Sequence, residues 1–432
     1  MKTNMKNFSA FAIAAALAGF TLSAQPEATE FVPFKDFLMQ TRRTNMSAMI
    51  APETRVRESA AFEEMRAHIL KVYEGVAVNH SFVADSAHFD CIPVDQQPAA
   101  RLFGAKKAEE PPASLLAKSA TTNSIGAGEG VTQQASHQRM EMDSLGNSTT
   151  CEADTIPMRR LTLEEMSRFS SLHEFFQKSR ALPADASAGH KYAVMTESVP
   201  NLGAATTLNV WNPYANKNLS QMSLSQQWVI GGSGNARQTA EVGWQVQPSA
   251  WGTQNTILFI YYTADNYQST GCYNLTCGVF FQQSRAVTFG ASLTASTIGG
   301  PQYEVTAQYL LYNGNWWLSI NGNWIGYFPG SAYKGGAMTR QADTIEFGTE
   351  SAGNNQWPAE GSGYWAESGF AYAAYQRNPF YTDLAGNGQW ASDLQQYLPS
   401  TSCYDTTELI TSSSPDWALF FYVGGPGGSP CN

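Results

Sequence analysis

The sequence predicts two folded units of different class: an antiparallel β-sandwich over residues 190–432, all-β, preceded by a smaller mixed α/β unit over residues 25–185. Two residue types draw the boundary. All 11 Trp lie at or after Trp211, whereas all six His (68, 80, 88, 137, 173 and 190) lie at or before His190. The third observation is periodicity. Apolar residues recur at helical spacing in the first part, and short β-branched and aromatic runs dominate the second. At 432 residues the chain is long enough for two cores.

The chain begins with Lys2 and Lys6, an apolar run from Phe8 to Leu22, and then Ser23-Ala24-Gln25. That is the three-part form of a secretory signal peptide over residues 1–24. The run is short for a bilayer span, and no later segment is long and apolar enough to be one. Secretion, to the periplasm or the extracellular space, is the expectation. The six Cys then read as disulfides. Pairing Cys91 with Cys151, Cys272 with Cys277 and Cys403 with Cys431 keeps each bridge inside its own unit. The net charge of -10 argues against a nucleic-acid or anionic-membrane partner, and a monomer is expected.

In the first unit one helix is predicted over Glu58–Val76 and another from Thr162. There Thr162 with Glu165 matches a capping box, and Met166, Phe169, Leu172, Phe175 and Phe176 share one face. Residues 105–150, rich in Ala, Ser, Gly and Gln, read as a mobile loop. Ser179–His190, SRALPADASAGH, reads as an exposed, cleavable linker. After it come ATTLNVW, SQQWVIGG, NTILFIYYT, YEVTAQYLLY, NWWLSI, NWIGYF and DTIEFG. Asn313-Gly314 and Asn321-Gly322 punctuate them as hairpin turns.

Beyond His190 the chain contains no further histidine, which removes a Ser-His-Asp triad, a Cys-His pair and a His-ligated zinc site unless the first unit lends a residue. A Ser-Lys dyad through Lys191, Lys217 or Lys334 lacks SxxK spacing. Carboxylates remain. Of the 14 from His190 onward, three lie inside strand-like runs with useful orientation: Glu241 in AEVGWQV, and Glu346 and Glu350 in DTIEFGTES. Strand parity puts Val242, Trp244 and Val246 on one side of the first run and Glu241, Gly243, Gln245 and Gln247 on the other. Parity does not choose between Glu346 and Glu350. Two carboxyls held close cannot both ionise freely, so one can act as base while the other donates a proton, and such a pair works best in acid.

The motifs SLSQQWVIGG, AEVGWQV, DNYQSTGCYNLTC, NGNWWLSINGNWIGYFP, IEFGTES and GSGYWAESGFAYAAYQRN resemble the neprosin family of glutamic-type prolyl endopeptidases. FDCIPVDQQPA and CEADTIPMRRLTLEEM resemble that family's activation peptide. By motif, the resemblance implies that Glu241 and Glu350 are the catalytic pair, with Gly348-Thr349-Glu350 standing where the family has a GGE-like motif. It further implies metal-free hydrolysis after proline, no cofactor, proline-containing peptide or protein substrates, and a pro-domain that inhibits its own enzyme. Cleft aromatics would be Trp244, Tyr261 or Tyr262, Tyr267 and Trp316 or Trp317, and polar groups at the substrate would be Gln245, Gln268 and Asn274. Loss of interface contacts at Arg159 and Arg160 in acid, followed by cleavage near Pro183 and Ala184, would free the enzyme. Two rivals remain: a carbohydrate-binding sandwich with stacking aromatics, and a glycoside hydrolase with paired carboxylates.

Overall fold

The computed structural model describes residues 30–49, 51–116, 131–133, 150–178 and 188–431. The expected signal peptide, most of the 105–150 loop and the Pro183–Ala184 bond lie outside the described residues.

From residue 188 onward the alternating runs form two antiparallel sheets packed face to face. One has seven strands, in the order Cys272–Tyr273, Ile257–Thr263, Gln238–Val246, Met222–Gly231, Thr344–Asn354, Ala188–Glu197 and Gln395–Tyr397. The other has ten strands from this part of the chain, eleven with Val131–Gln133, and is built around a meander of Gln302–Tyr312, Asn315–Ile320 and Asn323–Pro329. Both of its predicted tight turns form, with positive φ at Asn313, Gly314, Asn321 and Gly322. The apolar sides meet between the sheets. Val242, Trp244 and Val246 are buried there, and the Trp244 indole donates to the Asn209 carbonyl at 2.9 Å. Polar ties cross the same gap. Tyr309 donates to the Glu241 carbonyl, and Gln376 donates to the carbonyls of Gln226 and Gly348. The backbone beneath the future site is therefore braced from behind.

Residues before 179 form helices Phe34–Arg43 and Ser59–Tyr73 and a three-stranded antiparallel sheet of Ser81–Ala84, Ala87–Pro93 and Thr155–Arg159. The helix expected from Thr162 is two short ones, Leu163–Ser167 and Leu172–Phe176. Thr162 caps the first through the Glu165 amide, and Ser171 caps the second through the Glu174 amide, while the Glu174 carboxylate accepts from the Ser170 amide. Ser171 thus acts as a new N-cap, which starts a second helix where a continuous one was predicted.

Two further expectations are corrected. Ala105–Leu116 is no free loop: Tyr327 accepts from the Lys106 amide, Gln283 from the Ala108 amide, and Gln308 donates to the Leu115 carbonyl. Val131–Gln133 adds in parallel to Gln302–Tyr312. The linker is shorter than 179–190, because Ala188–His190 already belong to the strand that pairs with Gly353, Asn354 and Ala352. Three disulfides join Cys91 to Cys151, Cys272 to Cys277 and Cys403 to Cys431.

Candidate active site

The outer face of the seven-stranded sheet is where the polar sides of the strands converge. Met222–Gly231 lies in the middle, with Gln226 opposite Gly243 on one neighbour and Gly348 on the other. Glu241 sits opposite Trp228, and Glu350 opposite Leu224, so the two carboxylates approach Gln226 diagonally from both sides. The Gln226 amide donates to Glu241 Oε2 at 3.1 Å and to Glu350 Oε2 at 3.3 Å. Its own carbonyl oxygen is buried without a partner among the described residues.

The glycines make this approach possible. A Cβ at Gly243 would fall 2.0 Å from the Ser225 carbonyl oxygen and 2.5 Å from the Gln226 Cβ. Gly348 has φ +153°, and a Cβ there would fall 2.3 Å from the Ala193 carbonyl oxygen. Thr349 points away, into the space between the sheets, and its hydroxyl donates to the buried carboxyl of Glu360.

Between the two carboxylates stands an ammonium from the N-terminal unit. Lys178 Nζ lies 2.6 Å from Glu241 Oε2 and 2.7 Å from Glu350 Oε2, and the three side chains are 6%, 0% and 2% exposed. The remaining carboxylate oxygens are also engaged. Glu241 Oε1 accepts from the Thr239 and Tyr267 hydroxyls, each at 2.7 Å, and Glu350 Oε1 meets His190 Nδ1. Burial works to raise the Glu350 carboxyl, but the Lys178 charge and hydrogen bonds from His190 and Lys178 outweigh it and hold it down to about 2. Burial works to lower the Lys178 ammonium, and the two glutamates outweigh that and raise it. Lys178 also lies over the Trp228 ring, at 5.1 Å.

Beside the pair opens a cavity of about 550 Å³, lined by His190, Tyr192, Trp228, Tyr267, Glu346 and Tyr397 among others. Glu346 pairs there with Arg237 at 3.3 Å. Burial raises the Glu346 carboxyl, with Arg237 opposing.

Several residues expected at the substrate lie elsewhere. Trp244 packs between the sheets, and Tyr262 stacks there near Phe328 and Tyr333. It is the neighbour, Tyr261, that shares the Glu241 face, as strand alternation requires. Gln268 is exposed on the loop that carries Tyr267. Asn274 accepts from the Ile260 amide and lies at the far end of the sheet, near Arg159 and Trp251. Trp316 is core and Trp317 packs against Tyr327 on the other sheet. Gln245 does face the right way, but it engages Tyr273 and Trp251 rather than a carboxylate. The expected absence of imidazole is also corrected, since His190 stands on an edge-side strand of this sheet against Glu350. Arg159 does reach across, to the Trp251 carbonyl, whereas Arg160 is paired with Asp90 inside the N-terminal unit.

Sequence reasoning missed Gln226, Lys178, Thr239 and His190. Gln226 carried a signal, as a lone amide between Leu224 and Trp228 on one strand face. Lys178 carried none. Of metal-type donors, His80, Cys91 and Glu152 cluster among the described residues, with Cys91 spent in its disulfide.

Residues 219–426, which supply the Gln226, Glu241 and Glu350 strands, match the Neprosin family model. Over those residues the chain is similar to the neprosin family. The chain also has distant likenesses among solved structures. One is the crystal structure of scytalido-glutamic peptidase with a peptide-based transition state analog, at 9% identity and TM-score 0.31, over 55% of this chain and 98% of that one. Another is SCP-B, a member of the Eqolisin family of peptidases in complex with the tripeptide Ala-Ile-His, at 9% identity and TM-score 0.28, over the same shares. At that distance they assign no residue or activity to this chain.

Proposed function

We propose that the protein is the secreted zymogen of a glutamic endopeptidase that hydrolyses peptide bonds after proline in acid, with Glu241 and Glu350 as its catalytic pair. The observation that carries the reading is the shared ammonium: two buried carboxylates from separate strands lie close enough to bind one Lys178 Nζ at 2.6 and 2.7 Å. With Lys178 withdrawn, the same point is surrounded by Glu241, Glu350 and the Gln226 amide, which suits one water molecule. Losing the cation also raises the affinity of the pair for a proton, so one carboxyl becomes neutral while the other stays charged. The charged one takes a proton from the water as its oxygen attacks the scissile carbonyl. The neutral one polarises that carbonyl, and a proton passes to the leaving nitrogen.

The N-terminal unit, taken as residues 25–185, is the inhibitor in this reading. Its Lys178 fills the water's place, and Gln177 just before it also lines the cleft. Cleavage in 179–187 would let the segment leave. The disulfides, the signal-like leader and the family resemblance support secretion, and no helix among the described residues is long and apolar enough to cross a membrane.

The test is hydrolysis of a quenched proline-containing peptide at about pH 4 by acid-incubated chain, with a chelator present and a polysaccharide assayed in parallel. Wild type should cut the peptide and not the polysaccharide, and Glu241→Gln and Glu350→Gln should each lose at least a hundredfold in kcat. Full activity in either variant removes the pair. Polysaccharide cleavage instead would favour the glycoside hydrolase.

A further inference from the structure

Lys178 arrives on a segment whose backbone is held as well as its side chain. Tyr261 donates its hydroxyl proton to the Phe176 carbonyl at 3.0 Å, and Tyr273 donates to the Lys178 carbonyl at 3.2 Å. The first of these carbonyls is the last of helix Leu172–Phe176, and the second lies two residues on. Gln177 between them has φ -65° and ψ 143°, which is polyproline-II geometry. Its N–H is spent on Glu174, inside the preceding turn, so the cleft does not read it.

Both hydroxyls are aimed by their surroundings. Tyr273 accepts from Gln245 Nε2 at 2.9 Å, which leaves its single proton for the carbonyl, and Gln245 is fixed in turn by Trp251 Nε1 at 2.7 Å. Tyr261 stands where a side chain at residue 271 would be. Gly271 has φ +134°, and a Cβ there would fall 2.3 Å from the Tyr261 hydroxyl oxygen. Both tyrosine side chains are fully buried with the segment in place.

We infer that Tyr261 and Tyr273 form a peptide-carbonyl clamp, a subsite that holds extended substrate backbone beside the carboxylate pair and that the inhibitory segment occupies in the substrate's place. The inference rests on the glutamic-peptidase reading above. Its ligand class is an extended peptide that offers two carbonyls at i and i+2. Because the N–H of the intervening residue is not used, an imino acid at that position loses no bond.

The experiment uses the full chain with its segment displaced by Lys178→Glu, in the inactive Glu350→Gln background, with a fluorescein-labelled proline-containing peptide followed by anisotropy. Tyr261→Phe and Tyr273→Phe, which remove one oxygen each, should each weaken binding about fivefold, the equivalent of about one hydrogen bond. Gly271→Ala should do the same without altering either tyrosine. Unchanged affinity in both Phe variants, or no binding by the parent, overturns the clamp. Hydrolysis by the wild-type background separates the two readings. Peptide binding with these losses but no hydrolysis keeps the clamp and sinks the peptidase. Hydrolysis with KM unaltered by both Phe substitutions sinks the clamp and keeps the peptidase.

Discussion

A single ammonium, Lys178 Nζ, stands between two buried carboxylates, and in the proposed zymogen the response to acid depends on how firmly it is held. Glu350, held down to about 2 against an ordinary 4.5, contributes stability that is fully present above 4.5 and is lost as pH falls toward 2. The latch therefore survives mild acid. His68 yields earlier. Its ring nitrogen lies 3.0 Å from the Thr276 carbonyl across the contact between the units, and burial chiefly lowers its affinity for a proton, with Lys71 adding to the effect. A histidine with a lowered folded value binds more protons when undocked, so stability falls as pH drops below about 6.5. Replacing His68 with Gln should move the onset of acid activation to lower pH, as read by the appearance of processed chain across a pH series. An unmoved onset would clear His68 of the role.

Legibility at this scale follows the range of the interaction. Glu241 and Glu350 could be named because strand parity and a short motif fix where each side chain points. Lys178 could not, because its partners lie 63 and 172 residues away and only docking of the units brings them together.

At the level of the strands, the site depends on glycines that let three chains close around Gln226. Gly243→Ala should destabilise the chain by roughly 2 kcal/mol or more, since the added methyl meets backbone at 2.0 Å and not a movable side chain end. Thermal melting checks it, and a melt like that of wild type would mean that the strands can part at low cost. The hairpins were readable from Asn-Gly pairs, which only one turn geometry suits. The break between Leu163–Ser167 and Leu172–Phe176 was not, because the apolar spacing continues across it and Ser171 decides the matter locally. Ser171→Ala should cost about 1 kcal/mol, the usual worth of an N-cap, and because Lys178 follows directly it should also loosen the latch. Parity explains the aromatic corrections as well. Trp244 and Tyr262 each lie one residue from a position on the Glu241 face, and a one-residue step in a strand is a change of side.

Across the whole molecule, a buried carboxyl in the loop after the Glu350 strand ties stability to pH. Burial raises Glu360, behind the Glu350 strand, up to about 8, with hydrogen bonds from Thr349 and Ser351 opposing and the Glu350 charge adding. A carboxyl whose folded value is raised contributes stability that is complete below about 4.5 and lost as pH rises through 8. Wild type should accordingly melt at a higher temperature at the acid end of that window, and Glu360→Gln should narrow the difference; an undiminished difference would place its origin elsewhere. Composition suggested two units, since only the later part carries tryptophan. It could not show that Ala105–Leu116 and Val131–Gln133 lie along the second unit, because sequence records local preference and not which surface a segment covers.

The most direct measurement of the central claim is peptide hydrolysis by the intact, unincubated Lys178→Glu chain. A third carboxylate cannot be buried against Glu241 and Glu350, so the segment should leave the cleft without being cut. The prediction is cleavage of the quenched proline-containing peptide by a chain that still runs at full length, abolished by adding Glu241→Gln. A Lys178→Glu chain that folds and remains silent, while acid-processed wild type cuts the same peptide, would contradict it.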